Sequence, residues 1–170
     1  MQKNCLLSVL IAGLLFGVIP LSGQGLFTWG STGLTMELPY DTASAEVVDD
    51  GNELLITWSK LEISFLSVSK DSVERYFADR YLEFLMGIVD ELELIPLSTP
   101  QKFPSTPDGV WFTAIDTAIF TDTVLLGAIS WPGAALVVIA LFDCYGSPLN
   151  SAISIMQSLA FKQYARPKND

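Results

Sequence analysis

The chain has 170 residues, of which 50% are hydrophobic, and its 19 acidic and nine basic residues give a formal net charge of −10. Such a surface repels nucleic acid and anionic lipid headgroups, because binding to either depends on clusters of Lys and Arg that are absent here. The sequence contains no histidine. This excludes Ser-His-Asp and Cys-His catalysis and most zinc sites.

The first 25 residues have the layout of a secretory signal peptide. Lys3 precedes an uncharged apolar run over residues 5–21, and small residues follow at Gly23 and Gly25. We predict cleavage after Gly25, with Gly23 as the second choice, and a single domain over residues 26–170. The protein is then secreted or periplasmic. The apolar run is longer than usual, so an uncleaved N-terminal membrane anchor stays as the alternative.

The cysteines set the expected redox chemistry. After cleavage Cys144 is the only cysteine left, so we expect no intramolecular disulfide. Cys144 closes a strongly apolar run, which favours a buried core thiol over a redox-active one.

Strands dominate the first part of the domain. Residues 26–32 show no pattern, whereas residues 33–38, 45–49, 53–59 and 61–68 alternate apolar with polar positions, which predicts four strands. Asp50-Gly51 joins the second and third strands as a hairpin turn with Gly51 at positive φ. We prefer this interpretation of the acidic run at 49–53 to a calcium site, because the run lacks the alternating ligands of an EF-hand loop.

Two amphipathic helices are predicted. The first spans residues 71–89, where apolar residues recur every three or four positions. The second spans residues 147–163, with Ser147 as N-cap and Pro148 at the first helical position.

The apolar segment 124–142 contains 19 uncharged residues, enough for a transmembrane helix. Pro132-Gly133 lies at its centre and Val, Ile, Thr and Trp are prominent on its sides, so we predict a hairpin of two strands, 123–131 and 134–143. A further strand is predicted at 109–120, after an irregular loop that contains four prolines. Continuous apolar strands imply a sheet covered on both faces. The predicted fold class is α+β: a mostly antiparallel sheet flanked by the two amphipathic helices.

Three sequence segments carry a family resemblance: GLTMELP at 33–39, DGVWFTAIDTAIF at 108–120 and SAISIMQSLAFK at 151–162. With the order of elements over residues 31–163, they resemble the Mog1/PsbP-like α/β/α sandwich superfamily. Its members include a small-GTPase-binding protein, a photosystem subunit and exported bacterial proteins. The resemblance implies a binding or assembly module and carries over no catalytic residues.

Two residues are candidates for ligand or partner binding. Asp116 shares an apolar row of its strand with Val110, Phe112 and Ala114, where an ionised carboxylate is costly unless it is paired or hydrated. It is either a structural hydrogen-bond or ion-pair partner or the polar contact inside a hydrophobic ligand groove. Trp29 lies in the unpatterned lead-in. It either packs back onto the domain or anchors a partner protein.

No catalytic constellation emerges from the sequence. Ser67 and Lys70 match an S-x-x-K pattern, but the companion K-T-G and S-D-N motifs are missing. We therefore predict an exported, non-enzymatic binding or accessory module of a bacterial cell envelope. It takes a protein or small-molecule ligand and uses no cofactor or metal.

Two alternatives stay open. A carboxylate-based hydrolase such as a glycosidase needs two carboxyl groups facing one cleft. An N-terminally anchored structural protein requires an uncleaved signal segment, and only in that case is a membrane a partner.

Overall fold

The computed structural model describes residues 25–38, 45–58, 60–77, 81–105, 108–117, 122–131, 134–144 and 149–162. The strands there are β1 Gly25–Trp29, β2 Leu34–Leu38, β3 Glu46–Asp49, β4 Glu53–Trp58, β5 Leu61–Ser69, β6 Leu94–Pro96, β7 Gly109–Asp116, β8 Thr123–Ile129, β9 Leu136–Cys144 and β10 Ala160–Phe161. The helices are α1 Lys70–Phe77, α2 Tyr81–Glu91 and α3 Leu149–Ser158.

The described strands form two antiparallel sheets. The larger has seven strands in the order β3-β4-β5-β9-β8-β7-β6, and the smaller has three in the order β1-β2-β10. Every pairing between these strands is antiparallel. The predicted α+β class with mostly antiparallel sheet is confirmed.

The turn between β3 and β4 is confirmed in its details. Gly51 has a φ of 93°, and the Asp50 N–H donates to the Glu53 carbonyl at 3.1 Å. The Asp50 carboxylate accepts hydrogen bonds from the N–H groups of Asn52 and Glu53, at 2.9 and 2.7 Å. The Asp50 carboxylate thus accepts hydrogen bonds from the backbone of its own turn, as in an Asx turn.

Segment 124–142 is a pair of strands. β8 and β9 pair from Thr123↔Cys144 to Ile129↔Val138, so the hairpin prediction is confirmed, while Pro132-Gly133 lies outside the described residues. In the part of the chain that the structure describes, no helix is long and apolar enough to cross a membrane.

Apolar clusters lie on both faces of the large sheet. On one face, Val73 of α1 and Leu85 of α2 belong to a cluster with Phe112, Leu126 and Val137 of the sheet. On the other face, α3 and the small sheet contribute to a second cluster; its largest members are Trp29, Phe65, Phe103, Trp111 and Phe142. β8 is buried at every position after Thr123.

Both predicted helices need correction. The region predicted as one helix over 71–89 contains α1 and α2, with residues 78–80 outside the described set. The last helix ends at Ser158, not at 163, because Ala160 and Phe161 pair with Thr35 and Leu34 of β2. The predicted start at Ser147 and Pro148 also lies outside the described residues.

The lead-in is the third difference. Residues predicted to have no pattern contain β1, which pairs with β2 from Gly25↔Leu38 to Trp29↔Leu34. Trp29 is fully buried, with its ring centroid 6.3 Å from that of Phe65. Its indole N–H donates to the Asp49 carboxylate at 3.0 Å. This packing ties the lead-in to the β3–β4 hairpin.

Replacing Trp29 therefore tests how the lead-in is held. We expect Trp29→Ala to lower the free energy of unfolding by about 3–5 kcal/mol through lost burial. Trp29→Phe should cost about 1–2 kcal/mol, because it loses the bond to Asp49 and part of the ring. Urea denaturation of both variants measures this. Leu26→Ala, at a position 63% exposed, is the control and should stay within about 0.5 kcal/mol. An unchanged midpoint for Trp29→Ala would contradict the packing.

Candidate functional site

Asp116 lies at the end of β7, half-buried, opposite Leu94 of the edge strand β6. Its N–H donates to the Asp122 carbonyl at 3.2 Å. Asp122 itself is buried, with 7% of its surface exposed. The predicted polar position in an apolar row thus exists, and a second carboxyl residue lies directly across from it.

Strand alternation brings two more carboxylates to the same place. Glu62 of β5 is the register partner of Asp143 of β9, and Asp143 in turn faces Val124, two residues from Asp122. Direct cross-strand neighbours are about 5 Å apart at Cβ and diagonal ones about 7 Å. Glu62, Asp116, Asp122 and Asp143 share the sheet face that α1 and α2 cover, and we call them the acidic end.

Asp143 is the member of the acidic end that has a buried oxygen without a hydrogen-bond partner, its Oδ1 atom. Burial first, and then the charges of Asp122, Glu62 and Asp116, raise its pKa from 3.8 to about 6. A carboxyl group with such a pKa exchanges its proton near neutral pH, as general acids do.

Neighbouring chemistry at the acidic end is limited. Cys144 is buried, and burial followed by the charges of Asp143 and Asp122 raises its pKa to about 11. The thiol is therefore neutral and a poor nucleophile, as predicted for a core cysteine. Among the described residues, no group of three or more His, Cys, Asp or Glu side chains could hold a metal ion.

Titration of Asp143 has a defined effect on stability. Its folded-state pKa lies above the unfolded value, so the folded protein takes up a proton near pH 6 while the unfolded chain stays charged to about pH 4. The charged Asp143 carboxylate therefore lowers the free energy of unfolding at pH 7, and this destabilisation disappears as the pH falls towards 4. We expect Asp143→Asn to be more stable than wild type at pH 7 by about 1 kcal/mol, allowing for solvent screening of a half-exposed group.

Urea denaturation between pH 4 and pH 7.5 measures this difference. The advantage of Asp143→Asn should vanish towards pH 4. Glu46→Gln, exposed on the edge strand β3, is the control and should show no such trend. A constant difference between Asp143→Asn and wild type over this pH range would refute the titration.

A second candidate surface lies on the outer side of α2. Leu82 and Met86, four residues apart on the helix, are 38% and 37% exposed. Gly87 beside them is also exposed, and a Cβ added there would meet nothing within 4 Å. Glu83 and Asp90 flank them. We call these five residues the α2 outer surface.

Further exposed apolar side chains lie on and just after the edge strand β6, and strand alternation puts them on the sheet face opposite to Leu94 and α2. Ile95 and Leu97 are 50% and 56% exposed. Leu97 also donates its N–H to the Thr113 carbonyl at 2.8 Å, continuing the pairing of β6 with β7. Pro96 and Pro100 lie on this edge and cannot donate to a further strand, which disfavours the addition of another strand.

Gly87 gives a direct test of the α2 outer surface. A glycine inside a helix costs about 0.5–1 kcal/mol relative to alanine. Because no atom blocks a Cβ there, Gly87→Ala should raise the free energy of unfolding by about that amount. Gly51→Ala, at a φ of 93°, is the contrasting variant and should destabilise. Thermal unfolding of the two variants distinguishes them, and a destabilised Gly87→Ala would mean that the position is not open.

The predicted site residues do not form one site. Trp29 packs in the cluster on the α3 side of the large sheet, whereas Asp116 lies on the face that α1 and α2 cover. The Ser67 hydroxyl donates a hydrogen bond to the Asn52 carbonyl at 3.2 Å. The serine of the S-x-x-K pattern therefore links β5 to the turn that precedes β4. Sequence reasoning missed Glu62, Asp122 and Asp143. The signal was there for Asp143, which ends the apolar row of Val137, Ile139 and Leu141 as Asp116 ends its own row.

Comparison with known proteins adds little. No protein-family model matches the chain, and no curated protein sequence is significantly similar to it. Among solved structures, the chain is similar to a protein from Bacteroides thetaiotaomicron VPI-5482, whose crystal structure was determined at 1.50 Å resolution. The TM-score is 0.46 and the sequence identity 12%, over 86% of this chain and 51% of that chain. This chain therefore spans about half the length of that neighbour.

Proposed function

We propose that this chain is an exported, non-enzymatic binding or accessory module of a bacterial cell envelope. Export is supported by the charge, apolar run and small residues of positions 1–25. Binding is supported by one observation above others. Of the six large hydrophobic side chains exposed among the described residues, Leu82 and Met86 lie one turn apart on the outer side of α2. Isolated exposed hydrophobic residues are ordinary, but such an adjacent pair on one helix favours a contact surface.

We further propose that the fold is a sandwich of the Mog1/PsbP-like kind, with helices flanking the large sheet. Support comes from the two apolar clusters on opposite faces of that sheet and from the position of α3 near the end of the chain. This architecture would leave the outer side of each helix free for partners.

A carboxylate-based hydrolase is the second candidate, and the acidic end favours it. Asp116 has acidic neighbours, and Asp143 holds a proton near pH 6, which suits a general acid beside a second carboxylate. In this role Asp116 or Asp122 is the second carboxylate. The third candidate, a membrane-anchored structural protein, depends only on retention of residues 1–25.

Two measurements on the native protein separate these candidates. Mass spectrometry should find a mature N-terminus at Leu26, and an intact N-terminus would favour the anchored protein. A panel of chromogenic glycosides and esters should give no turnover. Turnover that disappears in both Asp143→Asn and Asp116→Asn would replace the binding module by the hydrolase.

Binding itself is tested by crosslinking in the producing cells. We expect wild-type protein to form a discrete crosslinked complex that the double variant Leu82→Ser/Met86→Ser loses by at least about tenfold. Leu149→Ser is the matched control, since Leu149 is a leucine at 37% exposure on a different helix. A complex that survives the double variant would disprove binding through α2.

A further inference from the structure

We infer that the pairing of β1 with β2 protects the Gly25–Leu26 peptide bond, so that a signal peptidase cleaves this bond only before the domain has folded. The inference rests on the proposed export and deepens it by giving the order of cleavage and folding. Two observations carry it: the position of the bond within a paired strand, and the burial of Trp29 in the same strand.

The bond lies inside β1, not ahead of it. Gly25 is the register partner of Leu38, and Leu26 is the partner of Glu37. The side chain of Leu26 is 63% exposed, so it is the backbone that the fold restrains. Proteases cut preferentially in loop tips and poorly ordered ends, where the backbone is neither buried nor hydrogen-bonded. The Gly25–Leu26 bond therefore becomes a substrate only when β1 separates from β2.

Trp29 holds β1 in place. It is fully buried, its indole N–H donates to the Asp49 carboxylate at 3.0 Å, and its carbonyl accepts the N–H of Gly33 at 2.8 Å. Phe27, between the bond and Trp29, packs against the same apolar cluster. A peptidase that binds residues on both sides of the bond has to detach Phe27 as well. Opening of β1 therefore exposes apolar surface to water, which is unfavourable.

The cluster that receives Trp29 is assembled from distant parts of the chain. It contains Phe65 of β5, Phe142 of β9 and Met156 of α3. An N-terminal signal leads the chain through export, so Trp29 crosses the membrane before Phe142 and Met156. Contacts between residues so far apart in sequence form late. The bond is thus open to the peptidase during export and becomes protected once the domain has closed around Trp29.

The cleavage itself is a hydrolysis. The bond between the Gly25 carbonyl carbon and the Leu26 nitrogen breaks, and water adds its hydroxyl to the carbon and its hydrogen to the nitrogen. The new carboxyl group then gives its proton to the new amine. The catalytic groups belong to the peptidase, and this chain supplies only the bond and its accessibility.

Cleavage of the full-length precursor, residues 1–170, by purified signal peptidase in detergent tests the inference. The measured rate is that at which mass spectrometry finds a product beginning at Leu26. Met36→Asp, which places a charge at a fully buried position of β2, is the reference in which β1 has no stable partner. We expect folded wild type to be cleaved at least about a hundredfold more slowly than Met36→Asp, because the rate follows the population of the open form.

Further variants separate β1 from the fold as a whole. Trp29→Ala should be cleaved at least about tenfold faster than folded wild type, and Trp29→Phe at least about threefold faster. Leu85→Ala is the matched control, because Leu85 is also fully buried but belongs to the cluster on the opposite face of the large sheet. Its rate should stay within about twofold of wild type. Circular dichroism verifies folding, and if Trp29→Ala is unfolded, Trp29→Phe decides.

Equal cleavage of folded wild type and Met36→Asp would overturn the inference. An equal acceleration by Leu85→Ala, or an unchanged rate in Trp29→Phe, would also overturn it, since β1 would then not be the protecting element. Cleavage of Met36→Asp only at another bond would contradict the inference and leave the proposed export standing. If Met36→Asp were not cleaved at any bond, the proposed export by residues 1–25 would itself be wrong.

Discussion

β8 and β9 are buried from both sides, and this burial decides where the other strands and the helices must pack. β8 is buried from Val124 to Ile129, and β9 from Val137 to Ala140. Strands that are apolar on both faces are stable only between two covering layers. Val73 of α1 and Leu85 of α2 belong to the apolar cluster on one face, and α3 and the small sheet with Trp29 contribute to the cluster on the other. Trp29 of the lead-in strand is therefore part of the core, and Phe27 of the same strand and Phe161 of β10 pack against it from the outside.

The same alternation places the polar chemistry. On β9 the row that faces α1 and α2 runs through Val137, Ile139 and Leu141 and ends at Asp143, where the neighbouring strands also carry acids. The carboxyl of Asp143 therefore lies at the edge of an apolar cluster and binds its proton unusually tightly. α2 has a similar division. Its inner residues Leu85 and Val89 belong to the core, which leaves its outer side available for contact with other molecules.

Much of the sheet could be predicted because local patterns decide it. Alternation in β4 and β5, the Asp50-Gly51 turn and the apolar run around Pro132-Gly133 all point to strands. Features set by distant pairing could not be predicted. Ala160 and Phe161 continue a helical pattern, yet pairing with β2 makes them a strand, and Phe161 lies with its ring centroid 4.1 Å from that of Trp131. Asp116 and Asp143 were each recognisable from their own apolar row, whereas their proximity to one another and to Asp122 requires the registers of β7, β8 and β9, which no single strand contains.

Hydrogen exchange measured by NMR reports the stability of each strand, because amides exchange slowly where opening requires loss of both covering layers. We expect the slowest amides in β8 and β9 and in the paired part of β5, with β6 and the small sheet exchanging faster. If the amides of β8 exchanged as fast as those of the small sheet, or if α2 were protected longer than β8 and β9, the two-sided burial of the central strands would not be what stabilises this fold.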